Sequence, residues 1–279
     1  MDKSKVNKII IFTLDSLYST IALNNLIKVI KDKDVVIFTS NVYNDKHGTF
    51  FYQLKKIFKR SGYHFLLYLS TYMVFYKIIM FLSNIINIIF FNKKRYISIN
   101  KIAKLYGIPI IKVDDINAKN VIDDIYEKKP DLILSCIFDQ IISEEVFSIP
   151  KYGTMNIHPG LLPDYRGPFP SIFAAINNEN NLGVTVHYVD RTLDTGNIID
   201  RRSIPFKKNK SILYHDVQLM KLGIDIMTNV IASIGIKNLC TLKQEGGRYY
   251  SYPKRCHTQQ LRRNNVKLFS IFELFKLFF

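Results

Sequence analysis

Cysteine is scarce: Cys136, Cys240 and Cys256 are an odd three in 279 residues, and none stands at a metal-binding spacing from another. That count excludes a disulfide framework and a cysteine zinc site, and it fits a reducing, cytoplasmic compartment with inert thiols. Carboxylates are also short: 23 Asp and Glu face 39 Lys and Arg, a formal net charge of +16. Such a surplus suits nucleic acid, an anionic membrane surface or a phosphorylated substrate; a lysine-rich composition with no such partner gives the same number. No secretory leader is read at the N-terminus, because the apolar run from Ile9 to Phe12 is short and Asp15 follows it.

Charge, Gly and Pro are all missing from one long stretch. Between residues 63 and 91 the only fully charged side chain is Lys77. Lys55, Lys56, Lys59 and Arg60 precede it, and Lys93, Lys94 and Arg95 follow. The stretch reads as one or two helices. Lys77 divides it into halves shorter than the ~20 residues that a crossing helix needs. It is therefore expected to lie against a membrane interface with its basic flanks near headgroups, or to cap its own domain or a second subunit. A true span is the remaining reading.

What is present is an α/β pattern. With 48% hydrophobic and 22% charged residues, the chain has the composition of a soluble domain with an addition. Residues 6–13 and 35–39 read as strands around a helix at 16–31, whose Ala22, Leu26, Val29 and Ile30 share a face. This β-α-β opening predicts parallel strands with right-handed crossovers. Alternation resumes with a helix capped by Ser98 and ended by Gly107, a strand at 108–113, a helix through Val121–Tyr126, and an almost wholly apolar strand at 131–136. A short helix at 143–147 comes next. Further on come a helix at 170–176, strands at 184–189 and 198–205, and a long helix from 210. The apolar stripe of that helix runs Leu213, Val217, Met220, Ile224, Met227, Ile231 and Ile234. The tail has a basic patch at 254–263 and an apolar end at 266–279 that asks for a covering surface.

The chain is organised around Gly153-Thr-Met-Asn-Ile-His-Pro-Gly-Leu-Leu-Pro-Asp-Tyr-Arg-Gly167. Asn156 and His158 are two apart, so on a strand they project from one face. At a strand's C-terminal end, where open α/β sheets bind ligands, they form a polar pair; a histidine merely bonded to its loop is the plainer alternative. Pro159, Pro163, Pro168 and Pro170 stiffen the loop after that strand. Downstream, Asp190-Arg-Thr-Leu-Asp-Thr-Gly-Asn197 sets a carboxylate beside a glycine. His158, His187, Asp190 and Asp194 lack a tight ligand spacing, so no metal is expected.

Asn156-Ile-His-Pro159, Leu161-Leu-Pro163, Tyr165-Arg-Gly167, Gly183-Val-Thr-Val-His187 and Leu193-Asp-Thr-Gly196, in this order, resemble the folate-dependent formyltransferase family. The resemblance is strong over about 130–206, generic over 6–40 and 98–129, and absent over 45–97. It implies a mostly parallel Rossmann-like sheet in a catalytic domain at 1–206. A hydrophobic helical insertion sits at about 45–97, and a C-terminal helical extension with a basic and apolar tail at 207–279. It implies Asn156, His158 and Asp194 as the catalytic set and 10-formyltetrahydrofolate as formyl donor. The donor's pterin would lie against Ser135, Cys136, Phe138, Gln140, Ile141, Ile142, Val189 and Asp190. Leu162, Pro163, Arg166, Gly167 and His187 would border the substrate loop, with His187 either acting directly or bonding beside the site. Gly160 replaces the serine common in the family. No Ser or Cys nucleophile sits in these blocks, which favours direct transfer. The amine acceptor is read as methionyl-tRNA, since 161–168 most resembles the catalytic domain of methionyl-tRNA formyltransferases. Amino-sugar N-formyltransferases share the block, and a catalytically idle, membrane-associated binding protein is the reading of another class. Peripheral membrane contact through 63–91 and a homo-oligomer are the other partners weighed.

Overall fold

The computed structural model describes residues 6–40, 48–89, 96–236 and 239–279. Five parallel strands, β1 (Lys8–Leu14), β2 (Asp34–Ser40), β3 (Ile110–Val113), β4 (Leu132–Cys136) and β5 (Thr154–His158), are joined by two more, β6 (Asn181–Tyr188) and β7 (Ile198–Pro205). Their order is β3-β2-β1-β4-β5-β6-β7, with β6 antiparallel to both its neighbours. Chain order reverses at β1, so the crevice at the C-terminal ends of β1, β4 and β5 is the natural ligand site of this topology.

Both sheet faces are covered, which is why the central strands are apolar without interruption. In β1, Ile9 and Ile11 enter one core while Ile10 and Phe12 enter the other. The first core is closed by α1 (Leu17–Ile30) and by α9 (Ile212–Ser233), which packs on β5, β6 and β7. The second is closed by α6 (Lys119–Lys128) and the short α7 (Glu144–Phe147). Local chemistry sets the helix ends. Ser16 and Ser98 accept from the backbone amides of Ser19 and Lys101, capping α1 and α5 (Ile99–Tyr106). Gly107 ends α5 in the left-handed conformation. α8 (Pro170–Ile176) starts on proline, which lacks the donor that a first turn leaves unused. Val29, grouped by sequence with the buried face of α1, is 52% exposed; the buried stripe runs through Ile21, Leu23, Leu26, Ile27 and Ile30 instead.

The apolar stretch is helical. α2 (Phe50–Ser61) turns at Gly62 into α3 (Tyr63–Ser70), which passes through a π-helical turn, Thr71–Phe75, into α4 (Tyr76–Ile89). Rather than standing off the sheet's edge, the α3–α4 rod lays Phe65, Tyr68, Tyr72, Tyr76, Ile79 and Met80 into the first core. Lys77 pairs with Asp15 at 2.6 Å, and the same carboxylate accepts from Tyr76 at 2.9 Å. Lys93, Lys94 and Arg95, the expected downstream basic flank, lie outside the described residues, as do positions 45–47 and 90–92 of the expected insertion. The tail adds α10 (Arg255–Arg263), against α2 and α8, and α11 (Ile271–Phe278), whose Leu274 and Phe278 are buried beside α4.

Candidate active site

β5 carries Asn156 and His158 to the C-terminal edge, and the antiparallel register of β6 sets His187 opposite Asn156. The Asn156 amide nitrogen lies 3.3 Å from His187 Nε2, while His187 Nδ1 lies 2.8 Å from the Tyr188 carbonyl oxygen. A carbonyl only accepts, so Nδ1 carries the proton and Nε2 receives the amide of Asn156. His187 is 2% exposed, and burial drives its pKa down to about 4 against the smaller, opposing pull of Asp194. It is a neutral imidazole at physiological pH. One hydrogen of the Asn156 amide is thereby anchored, and the other is left for a ligand.

His158 is held by the same logic with the nitrogens exchanged. Its Nε2 donates to the Tyr165 carbonyl at 2.7 Å, and Nδ1 lies 3.6 Å from Asp194 Oδ1. Asp194 Oδ1 is also 3.7 Å from His187 Nε2, and Oδ2 accepts from the Gly167 amide at 2.8 Å. Both imidazole separations fall within ion-pair range and exceed a hydrogen bond. Asp194 occupies the left-handed region (φ 56°), which Asp tolerates better than most residues. Asp190 organises that loop by accepting from the Thr192 amide and the Thr195 hydroxyl. A side chain at position 196 would stand 1.8 Å from the Tyr188 carbonyl oxygen, so the glycine after Asp194 is a steric demand. Gly160 is another: its Cβ would lie 2.6 Å from His158 Nε2. A serine there would displace the bond that orients His158.

These groups face a cavity of about 350 Å³. Its lining includes Ile137, Phe138, Asp139, Gln140 and Ile141, following β4, together with Asn156, His158 and Asp194. It also includes Tyr18, Tyr68, Tyr72, Phe169, Tyr252 and Asp216. Asp216, from α9, is buried and accepts from the hydroxyls of Tyr68 at 2.8 Å and Tyr18 at 3.2 Å, which lie 3.0 Å apart. Burial pushes its carboxyl up to about 6, against the stabilising bonds from Ser171, Tyr68 and Tyr18, and raises both phenols well above their usual range.

Residues 92–231, half of the chain, match the sequence pattern of the family described as Formyl transferase. The chain belongs to the formyl transferase family. It is 32% identical over 137 residues to the methionyl-tRNA formyltransferase of Staphylococcus aureus (strain JH1), covering 49% of this chain and 44% of that one. The corresponding enzyme of Geobacter metallireducens is 33% identical over 144 residues, 52% of this chain and 46% of its own. The chain thus spans less than half the length of the curated relatives it matches. Among solved structures, a sugar 3N-formyl transferase in the presence of dTDP and 5-N-formyl-THF superposes with a TM-score of 0.54 at 24% identity, over 88% of this chain and 70% of that one. A 4-N formyltransferase from Francisella tularensis gives 0.55 at 22%, over 88% and 76%. These two likenesses are of fold.

Within this chain the expected site residues separate into groups. Phe138, Gln140, Ile141 and Gly167 line the cavity beside Asn156, His158 and Asp194. Gln140 also ties the loop down, accepting from the Ile116 amide and donating to the Asp114 carbonyl. Ser135 and Cys136 are buried in β4 away from the cavity, and burial pushes the Cys136 thiol up to about 12. Ile142 and Val189 belong to the second core, and Asp190 holds its own loop. Leu162 is fully buried and, with Pro163, shapes the turn. Arg166 binds the tail: its amide donates to the Arg248 carbonyl, its carbonyl accepts from the Tyr250 amide, and its guanidinium reaches the Gly247 carbonyl. Gln244 donates to the carbonyls of Asp194 and Gly196. The lining residues Tyr68, Tyr72 and Asp216 are marked by no motif. The one signal for the two phenols is the recurrence of tyrosine at 68, 72 and 76, four apart in an apolar helix. Among the described residues no cluster of His, Cys, Asp and Glu could hold a metal ion.

Proposed function

We propose that the chain is an N-formyltransferase that moves a formyl group from 10-formyltetrahydrofolate to a primary amine. The observation that carries this reading is the convergence of Asn156, His158 and Asp194 on one cavity, with Asn156 anchored by a neutral His187. The amine nitrogen bonds to the formyl carbon, and an oxyanion develops on the formyl oxygen. The second amide hydrogen of Asn156 meets that oxyanion, and His158, held between the Tyr165 carbonyl and Asp194, stands beside it. Asp194 takes the proton that the amine loses, directly or through water, as the bond from the formyl carbon to N10 of the folate breaks and N10 is protonated. No Ser or Cys stands in the blocks that carry Asn156, His158 and Asp194, and Cys136 is buried with its thiol pushed up to about 12, which favours direct transfer. The loop Ile137–Ile141 supplies the wall against which the pterin rests.

The acceptor best supported by likeness to sequence relatives is the aminoacyl end of methionyl-tRNA, and the surplus of positive charge favours tRNA. A second reading, an amino sugar, is favoured by Asp216 and the phenols of Tyr18 and Tyr68. A buried hydrogen-bonding wall selects strongly for a ligand that satisfies it, as sugar hydroxyls would. The test incubates the full chain and 10-formyltetrahydrofolate with methionyl-tRNA and, separately, with nucleotide-linked amino sugars, following release of tetrahydrofolate. Turnover with one class identifies the acceptor. Absence of turnover with every amine, and of folate binding, overturns the enzyme reading in favour of an idle binding protein.

A further inference from the structure

The α3–α4 rod is apolar on both sides. Its inner stripe enters the core, and an opposite stripe at spacings of three and four, Val74, Phe75, Ile78, Phe81, Leu82 and Ile85, stays exposed. Two helices packed on the rod carry exposed apolar side chains as well. α2, packed on α3, exposes Phe51 (80%), Tyr52 and Phe58, and α11, packed on α4, exposes Phe272 (76%), Phe275 and Phe279. An apolar surface of this extent calls for a partner.

Charge says which partner. No Asp or Glu occurs from Gly48 to Val113. From Gly246 to Phe279 the only carboxylate is Glu273, which is taken up by the hydroxyl and amide of Ser211. Exposed cations accompany the apolar residues: Lys55, Lys56 and Lys59 on α2, with Arg255, Arg262 and Arg263 on α10 against it. Phenylalanines interleaved with Lys and Arg, without carboxylates, match the interface of an anionic bilayer, where apolar side chains sink to the acyl boundary and cations meet headgroups. A second copy of the chain suits this surface less well, since a two-fold contact would set like charges against each other.

We infer that the surface formed by α2, the outer stripe of α4 and α11 docks in the plane of an anionic membrane. The segment Tyr63–Ile86 is long and apolar enough to cross a bilayer, the one such helix among the described residues. Crossing would strip Tyr68 from Asp216 and Lys77 from Asp15, so the helix lies along the interface with its inner stripe still in the protein.

The test is flotation of the full chain with phosphatidylcholine vesicles, plain or containing about one-third phosphatidylglycerol. Binding to the anionic vesicles alone, weakening as salt rises, is expected. A Phe51→Ser, Phe81→Ser, Phe272→Ser variant should lose binding by more than tenfold. Lys55→Gln, Lys56→Gln and Lys59→Gln should each weaken it about fivefold. All six positions are exposed, so circular dichroism and melting should be unchanged. Failure of the folded chain to float overturns the inference, as does binding indifferent to these substitutions. So does a lipid-free dimer that the phenylalanine substitutions dissociate. No readout depends on turnover.

Discussion

His187 accepts the Asn156 amide through Nε2 because its Nδ1 is committed to the Tyr188 carbonyl, a relay across two antiparallel strands that fixes which way the asparagine points. In the proposed reaction the histidine is a positioning residue, working through another side chain. Asn156→Ala is expected to lower kcat by about 10²–10³, the usual effect of losing one oxyanion donor. The KM for the folate should stay near its original value, since the donor acts only as charge develops. His187→Ala should produce a smaller fall, and adding it to Asn156→Ala should cost little more. Steady-state kinetics on the single and double variants checks this.

Asp194→Asn keeps the shape of the side chain and its bond from the Gly167 amide but removes the charge beside His158. A loss in kcat of at least about 10² is expected, together with a changed pH–rate profile. A variant with the rate and profile of the original protein would remove Asp194 from proton transfer and leave the oxyanion site standing.

Two buried groups give stability opposing pH dependences. Asp216 has its folded pKa raised to about 6, above the usual carboxylate value, so the folded state binds the extra proton and stability falls as pH rises from about 4 to 6. His187 has its folded pKa lowered to about 4, below the usual histidine value, so the unfolded state binds the extra proton and stability falls as pH drops from about 6.5 to 4. Each contribution is on the order of 3 kcal/mol at full extent. Urea unfolding across pH 4–7 should show the Asp216→Asn variant gaining relative to the original chain as pH rises, and His187→Gln gaining as it falls.

Gly196→Ala places a methyl group where the Tyr188 carbonyl oxygen already stands, 1.8 Å away. The loop must shift, at a cost of about 1–3 kcal/mol in stability. It should carry Asp194 away from His158 and lower kcat along with the melting temperature. A melt and a rate measurement on the same preparation suffice.

How far the residues announced this structure depends on their surroundings. α8 and β7 were legible to the residue: Pro170 can only begin a helix, and the strand at 198–205 is set off by the polar loop before it. The pairing of Asn156 with His158 followed from the two-residue period of a strand. The tyrosine lining of the cavity was illegible for a physical reason. A helix apolar on every side has no amphipathic contrast to say which stripe faces inward, so Tyr68 and Tyr72 could not be told from Leu67 and Phe75. Asp216 stood one place before Val217 in a stripe read as core, and only the tertiary fold brings two phenols to it. α10 was hidden because its residues are mostly polar and its packing rests on Thr258 and Leu261.

The segment at 244–250 clasps the loop of Arg166 and the backbone of Asp194 and Gly196, although it lies about eighty and fifty residues further along the chain. During synthesis those carbonyls and amides are made long before their partners leave the ribosome. A nascent chain whose sheet is already complete has the bonds of Asp190 and Asp194 to Thr192, Thr195 and Gly167 but lacks those from Gln244 and from the Arg248–Tyr250 backbone. For the proposed transfer, the loop of Asp194 should therefore be fully fastened only once residues 244–250 have left the exit tunnel.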